Sequence, residues 1–332
     1  LLFIAHRKEE AEVRSFSFAL SVARCHAAIS VVNSLATGFG GAVGVGIPCK
    51  VKAELISIDS EPSWKKGGER NIIFIESEVE DAHNLLRTCA IDAMNSLGFK
   101  LDRGKAISLL VDSSIPPAVG LKSSSALSVA VVSAISKLVA RGGRRRSGLS
   151  KSEILRLSCN ASKKSGASIT GALDDAAACF LGGLVLTDNR RMKILKHSRF
   201  DSKEFGTSVV IRIPIGEEKL TSSIDANEVY SSFRRESRKA FELALQGEIA
   251  EAMTLNSVIQ CEALGYSFSP IELAMKEGAS AVGVSGKGPA IAAICAGEKI
   301  ARRVERAWLD DEQGDGNSLR VIRTRIVQPE KG

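Results

Sequence analysis

Two short segments carry residues whose types and spacing could do chemistry. The first is Ser114 to Ser128, SIPPAVGLKSSSALS. Pro116 and Pro117 break regular pairing, and Gly120 permits a backbone shape and a close approach that a side chain would block. Ser123, Ser124 and Ser125 then stand where a helix begins, so free N–H groups, the positive end of the helix dipole, three hydroxyls and the charge of Lys122 converge on one spot. That set suits a phosphate, and it also reads as a plain serine-rich N-cap. The second segment is Thr170-Gly171-Ala172-Leu173-Asp174-Asp175. Adjacent carboxylates at a helix start suit the dipole there as a solvated pair. The small residues around them imply a closely approached backbone, and a carboxylate in such a place can orient or deprotonate an attacking hydroxyl.

Other chemistries lack support. The seven cysteines are scattered with no CxxC spacing, and the four histidines, His6, His26, His83 and His197, form no HExxH helix, so zinc and redox motifs are absent. The cysteines read as buried free thiols in a reducing cytosol, which makes the expected location cytoplasmic. There is no GxxxxGK[ST] loop and no protein-kinase signature set. The basic cluster from Arg141 to Ser147, RGGRRRS, has no interleaved aromatics, and aromatics are 5% of the chain, so it reads as a solvated loop and nucleic acid is not an expected partner.

These segments must be positioned by a folded scaffold. At 332 residues, 44% hydrophobic and 25% charged, the chain is of a size and composition for two globular domains with a large core. The most apolar run, Ala126 to Ala140, still carries Ser128, Ser133, Ser136 and Lys137, which argues against a membrane span. The net charge of +7 favours anionic ligands without naming one.

Strand-like segments are expected over 17–29, 49–58, 71–76, 106–111, 207–214, 280–284, 290–295 and 320–327. Helices are expected over 81–97 with Gly98 as a stop, from about Ser123 onward, and over 150–164 with Ser150 and Glu153 at capping-box spacing. Further helices are expected over 229–245, 249–264, 270–277 and 300–308. The irregular alternation reads as α+β, with a domain boundary in the polar stretch 196–206. Residues 1–14, which begin with Leu1 and include Glu9, Glu10 and Glu12, read as an extension and not as a transit peptide.

At this level the chain resembles a known family. Pro116 to Ala126, PPAVGLKSSSA, resembles the ATP-binding motif of the GHMP kinases (galacto-, homoserine, mevalonate and phosphomevalonate kinases). The string GLKSSSA is similar to that of the archaeal-type shikimate kinases within that superfamily. Ala27 to Val45, AAISVVNSLATGFGGAVGV, resembles the family's N-terminal block, and Ser168 to Asn189, SITGALDDAAACFLGGLVLTDN, resembles the TGxxDDA block of the archaeal shikimate kinases. Gly283 to Ala290, GVSGKGPA, resembles the third family motif. The blocks span most of the chain from Ser17 onward.

The resemblance implies a two-domain α+β fold: a ribosomal-protein-like N-terminal domain over 15–200 and a ferredoxin-like C-terminal domain over 207–328. It implies ATP and Mg²⁺ as cofactors and shikimate, a small anion, as the phosphate acceptor in chorismate and aromatic amino-acid biosynthesis. The nucleotide would meet Pro116, Pro117, Ala118, Val119, Gly120, Leu121, Lys122, Ser123, Ser124, Ser125 and Ala126, together with Ser285, Gly286, Lys287 and Gly288. Asn33, Thr37, Thr170 and Gly171 would approach the substrate. Asp174 matches the catalytic acid of relatives, Asp175 would support the metal or the substrate, and Ser124 would ligate the metal. Lys163 stands where mevalonate kinases carry a metal-ligating Glu. Lys287 stands where relatives usually have a small residue, so it either reaches the phosphates or points to solvent. Another GHMP small-molecule kinase, such as a homoserine kinase, and a non-catalytic ligand sensor of the same fold are the alternatives.

Overall fold

A computed structural model describes residues 19–58, 72–77, 79, 83–141, 147–216, 226–315 and 318–330. The extension at 1–14 and residues 142–146 of the basic cluster lie outside the described residues. The chain divides into two compact units that are discontinuous in sequence. The first comprises Leu1–Cys25, Pro48–Ser114 and Ser124–Ala167; the second comprises His26–Ile47, Ile115–Ser123 and Ser168–Gly332.

The first unit holds the start of β1 (Ala19–Val32), the end of β2 (Phe39–Ser57), β3 (Ile73–Ser77), α1 (His83–Ser96), β4 (Lys105–Ser113), nearly all of α2 (Ser123–Arg141) and α3 (Lys151–Lys164). β4 is paired on both sides. It runs antiparallel to β2 from Cys49↔Ser113 to Ser57↔Lys105 and parallel to β3 from Ile73↔Ile107 to Ser77↔Val111.

Helix α2 is largely apolar because most of it is buried: Leu127, Val129, Val131, Ile135 and Leu138 are all in the core, while Lys137 is exposed. Among the described residues it is the one helix long and apolar enough to cross a membrane, and most of it is covered by protein. Its serines have structural work. Ser128 shares a 2.9 Å hydrogen bond with Ser162 of α3, Ser136 accepts the N–H of Leu149, and Ser21 of β1 donates to the carbonyl of Ala134. The hydroxyls of Ser21, Ser128 and Ser136 are tolerated in the core because each of these finds a partner. The expected capping box is present: Glu153 N–H donates to Ser150 Oγ at 3.3 Å, and Ser150 N–H donates to Glu153 Oε2 at 2.8 Å.

In the second unit the early part of β2 pairs antiparallel with β5 (Leu184–Asp188), which pairs with β6 (Lys193–Ser198). The segment from Phe39 to Gly46 is strand, extending the strand expected from Cys49 backward by ten residues. Its glycines made the pattern hard to read, and they are there for close approach. A Cβ on Gly40 would meet the carboxylate of Asp174, one on Gly41 would meet Leu186, and one on Gly44 would meet His26.

A separate antiparallel sheet has the order β10-β7-β9-β8, formed by β7 (Ser208–Pro214), β8 (Ala281–Val284), β9 (Ile291–Cys295) and β10 (Leu319–Arg325). The unit also carries α4 (Leu173–Leu181), α5 (Ala226–Tyr230), α6 (Arg234–Gln246), α7 (Ile249–Leu264), α8 (Ser269–Lys276) and α9 (Glu298–Asp315). Val210, Ile271, Val282, Val284, Ile291, Val304 and Trp308 form a core on this sheet, and the indole of Trp308 donates to the carbonyl of Pro270. The expected helix pair is α6 and α7, each stopped by a left-handed glycine, Gly247 and Gly265.

All seven cysteines are buried and free, as expected. Burial pushes the thiols of Cys49 and Cys261 up to about 11 and those of Cys89 and Cys295 up to about 12, which leaves them unreactive near neutrality.

Candidate active site

The loop from Ile115 to Lys122 is held from below by Ile115, Val119 and Leu121, all buried. Pro116 is half-buried, Pro117 exposed and Ala118 half-buried. Ala118, Gly120 and Lys122 all have positive φ, at 58°, 94° and 66°. Two non-glycine residues in the left-handed region within five positions mark a backbone shape imposed by its surroundings.

Those surroundings are the third motif. Ala290 N–H donates to the carbonyl of Val119 at 3.1 Å. The hydroxyl of Ser285 donates to the carbonyl of Gly120 at 2.8 Å, and accepts the N–H of Ser30 at 3.2 Å. Ser30 Oγ in turn accepts the N–H of Gly286. A Cβ on Gly120 would run into the carbonyl oxygen of Ser285, so glycine is required here both for space and for φ. Ser285 and Ser30 thus fix the shape of the loop from behind. Gly286 and Gly288 also have positive φ; Gly288 packs against the ring of Tyr266, whose hydroxyl donates to the carbonyl of Lys287 at 2.7 Å. Lys287 is half-buried.

At the start of α2, Ser123 and Ser125 are buried and Ser124 is half-buried, with Ala126 behind them in the core. Ser123 Oγ is buried with no hydrogen-bond partner among the described residues. A buried hydroxyl left unmatched costs about 1–3 kcal/mol, so its position at a helix N-terminus below a positive-φ loop fits a ligand oxygen.

Asp174 and Asp175 stand in the first turn of α4, preceded by Ala172 at φ 44°. Asp174 is 3% exposed. Its Oδ1 accepts the side-chain amide of Asn189 at 2.8 Å. The amide oxygen of Asn189 accepts both Leu173 N–H, at 3.0 Å, and the hydroxyl of Thr187, at 2.8 Å. Asp175 pairs with Lys122, Nζ to Oδ1 3.0 Å, and both side chains are largely buried. The pair ties the loop to the acids. Burial pushes the carboxyl of Asp174 up to about 7; the charge of Asp175 adds to the rise, while Lys122 and the Asn189 hydrogen bond oppose it.

Of the residues the resemblance assigned to the substrate, Asn33 is bound to the third motif: its Nδ2 donates to the carbonyl of Gly286 at 2.9 Å, and its N–H donates to Asn256 Oδ1 at 2.8 Å. Thr37 Oγ1 accepts the N–H of Phe39, and Thr170 Oγ1 accepts the N–H of Ala172. Gly171 is buried, with its N–H given to Ser168 Oγ. Asn33, Thr37, Gly120, Lys122, Asp174, Asp175 and Ser285 belong to one unit, and Lys163 is exposed on α3 of the other. Sequence reasoning did not single out Ser30, Gly40, Thr187, Asn189 or Tyr266. The trace in the sequence is the TDN ending of the second block, which carries no periodicity that would mark Asn189 as facing Asp174.

The donor chemistry here fits a nucleotide phosphate at the N-terminus of α2. The carboxylate of Asp175 and the hydroxyl of Ser124 are each oxygen donors of the kind Mg²⁺ takes.

Comparison with known proteins identifies the family. Residues 84–183 match the GHMP kinases N terminal domain and residues 238–312 match the GHMP kinases C terminal domain. The chain is 35% identical over 298 residues to a shikimate kinase from Methanosarcina acetivorans, covering 90% of each. It is 34% identical over 284 residues to a shikimate kinase from Pyrococcus furiosus, covering 85% of this chain and 92% of that one. Its fold is similar to a homoserine kinase from Cytophaga hutchinsonii, at TM-score 0.66 and 16% identity over 99% of this chain and 98% of that one. It is also similar to the Methanococcus jannaschii mevalonate kinase, at TM-score 0.65 and 14% identity over 95% and 99%. With a phosphate-type loop braced by the third motif, a buried acid pair beside it, and this likeness over nine-tenths of its length, the chain belongs to the GHMP kinase family, in the branch of the archaeal shikimate kinases.

Proposed function

We propose that the protein transfers the γ-phosphoryl group of ATP to the 3-hydroxyl of shikimate, a step in chorismate and aromatic amino-acid biosynthesis in the cytoplasm. The observation that carries the chemistry is the buried Asp174 carboxylate, gripped on one oxygen by Asn189, in a pair tied to the loop by Lys122. Likeness to proteins named shikimate kinase over most of the chain carries the choice of acceptor.

The residues divide the work as follows. The loop from Pro116 to Lys122 and the N–H groups and hydroxyls of Ser123, Ser124 and Ser125 bind the nucleotide phosphates, with Ser285, Gly286 and Gly288 bracing the loop. Ser124, with Asp175 in support, would hold Mg²⁺, which would supply charge stabilisation for the transferred group. Asp174 orients the acceptor hydroxyl through Oδ2 and takes its proton as the new O–P bond forms and the β,γ-bridging bond breaks. A carboxyl raised toward 7 is matched to a proton acceptor at neutral pH. We assign residues 15–200 and 207–328 to the two family domains.

An ADP-release assay over shikimate, homoserine, mevalonate and galactose tests the reading. Turnover of shikimate far above the others is expected. Turnover of homoserine or mevalonate without shikimate would reject it, and ATP binding with no turnover on any acceptor would favour a ligand sensor.

A further inference from the structure

A phosphate acceptor that is also an acid needs a cation for its carboxylate, and the site holds several cations that differ in what already occupies them. Lys122 is paired with Asp175 at 3.0 Å. Arg191 faces Asp188, Nε to Oδ2 3.7 Å. Arg238 lies over the ring of Phe39, 5.2 Å from its centroid. Arg190 is different. Its main-chain N–H is fixed by Asp188 Oδ1 at 3.1 Å, yet its guanidinium forms no ion pair with any described carboxylate.

The placement of Arg190 is also specific. Its side chain folds over Gly38, where a Cβ would come within 2.7 Å of both its Cγ and its Nε. Gly38 has φ 78°, and its carbonyl accepts the N–H of Asn189 at 2.9 Å. Two residues further on, Gly40 lies beneath the carboxylate of Asp174, against Oδ2. The α-carbons of Gly38 and Gly40 are at most about 7 Å apart. The Arg190 side chain and the Asp174 carboxylate therefore fill the space left by the missing Cβ atoms of two glycines of one segment. Asn189, directly before Arg190, holds the other oxygen of Asp174. One turn of chain thus sets both the cation and the acid.

We propose that Arg190 binds the carboxylate of the phosphate acceptor while Asp174 Oδ2 meets its hydroxyl, so that the two groups together select a hydroxy acid. The acceptor hydroxyl would be set two ring carbons from the carbon that bears the carboxylate. This rests on the reading of Asp174 as the group that meets the hydroxyl. Arg190 is exposed, so its replacement leaves the core intact.

The test compares shikimate with its uncharged carboxamide in the wild-type protein, Arg190→Leu and Arg190→Lys. The wild type should prefer the acid in kcat/KM by at least about tenfold, as expected for a charge-assisted pair. Arg190→Leu should raise KM for shikimate by about tenfold or more, leave KM for ATP within about threefold, and prefer acid over amide by less than about threefold. Arg190→Lys should recover part of the preference. If Arg190→Leu keeps the wild-type acid-to-amide ratio, the proposal is overturned. If the wild type instead turns over a different hydroxy acid, the choice of shikimate fails while Arg190 is judged by the same ratio on that acid and its amide. Absence of turnover on every acceptor removes both.

Discussion

Asn189 Nδ2 stands 2.8 Å from Asp174 Oδ1, and the orientation of that amide is fixed by its other end. Because the amide oxygen already accepts Leu173 N–H and the hydroxyl of Thr187, the nitrogen has to face Asp174. The carboxylate is thereby held on one oxygen and left with Oδ2 above Gly40. Preorganisation of this kind sets a reacting group before the substrate arrives.

Asn189→Leu should therefore lower kcat by about ten- to a hundredfold with both KM values nearly unchanged, since the interaction positions a group used in the chemical step. Thr187→Val, which keeps the amide but loosens its orientation, should cost less. Steady-state kinetics on both variants, with thermal melts to confirm folding, decide the matter.

Asp174→Ala should lower kcat by about a thousandfold or more while leaving nucleotide binding within a few-fold, the pattern for loss of a proton acceptor. Calorimetric titration with ADP, beside turnover, separates this from a general loss of the site.

The raised carboxyl of Asp174 also makes a statement about stability. Its folded-state value of about 7 lies above the ordinary 3.8, so between those limits the folded chain binds more protons than the unfolded one. Its contribution is then most favourable below about 4 and is lost as pH rises through about 7. Asp174→Asn should melt above the wild type at pH 8, with the gap narrowing toward pH 5. In the active enzyme the acid limb of kcat/KM should fall near 7, and Asn189→Leu should move it upward, because the lost hydrogen bond favours the charged form.

Lys122→Ala removes the cation between the loop and the acids. KM for ATP should rise by about tenfold, and the acid limb should again move up, since Lys122 holds the Asp174 carboxyl down. A shift in KM without a shift in the limb would separate phosphate binding from the link to the acids.

Gly120→Ala would force a side chain onto the carbonyl oxygen of Ser285 at a φ of 94°. A loss of roughly 1–3 kcal/mol is expected, read as a lower melting temperature together with weaker ATP binding.

The sequence by itself determined the local chemistry. Prolines, a glycine and three serines before an apolar run specify a loop feeding a helix N-terminus, because backbone geometry and capping act over a few residues. Ser150 and Glu153 determined their own capping box for the same reason, and Asp174 and Asp175 could be placed at a helix start. What only the tertiary structure decided is which distant groups complete these segments. Ser30 and Ser285, 255 positions apart, are joined so that the Ser285 hydroxyl locks Gly120 while the Ser30 hydroxyl holds the N–H of Gly286. The need for glycine at position 40 shows only when Asp174 is seen above it. Asn189 and Arg190 become the grip on the acid and its neighbouring cation only when β5 pairs with β2. Contacts of this kind depend on strand register and on space left by absent side chains, and neither leaves a periodic trace in the order of residues.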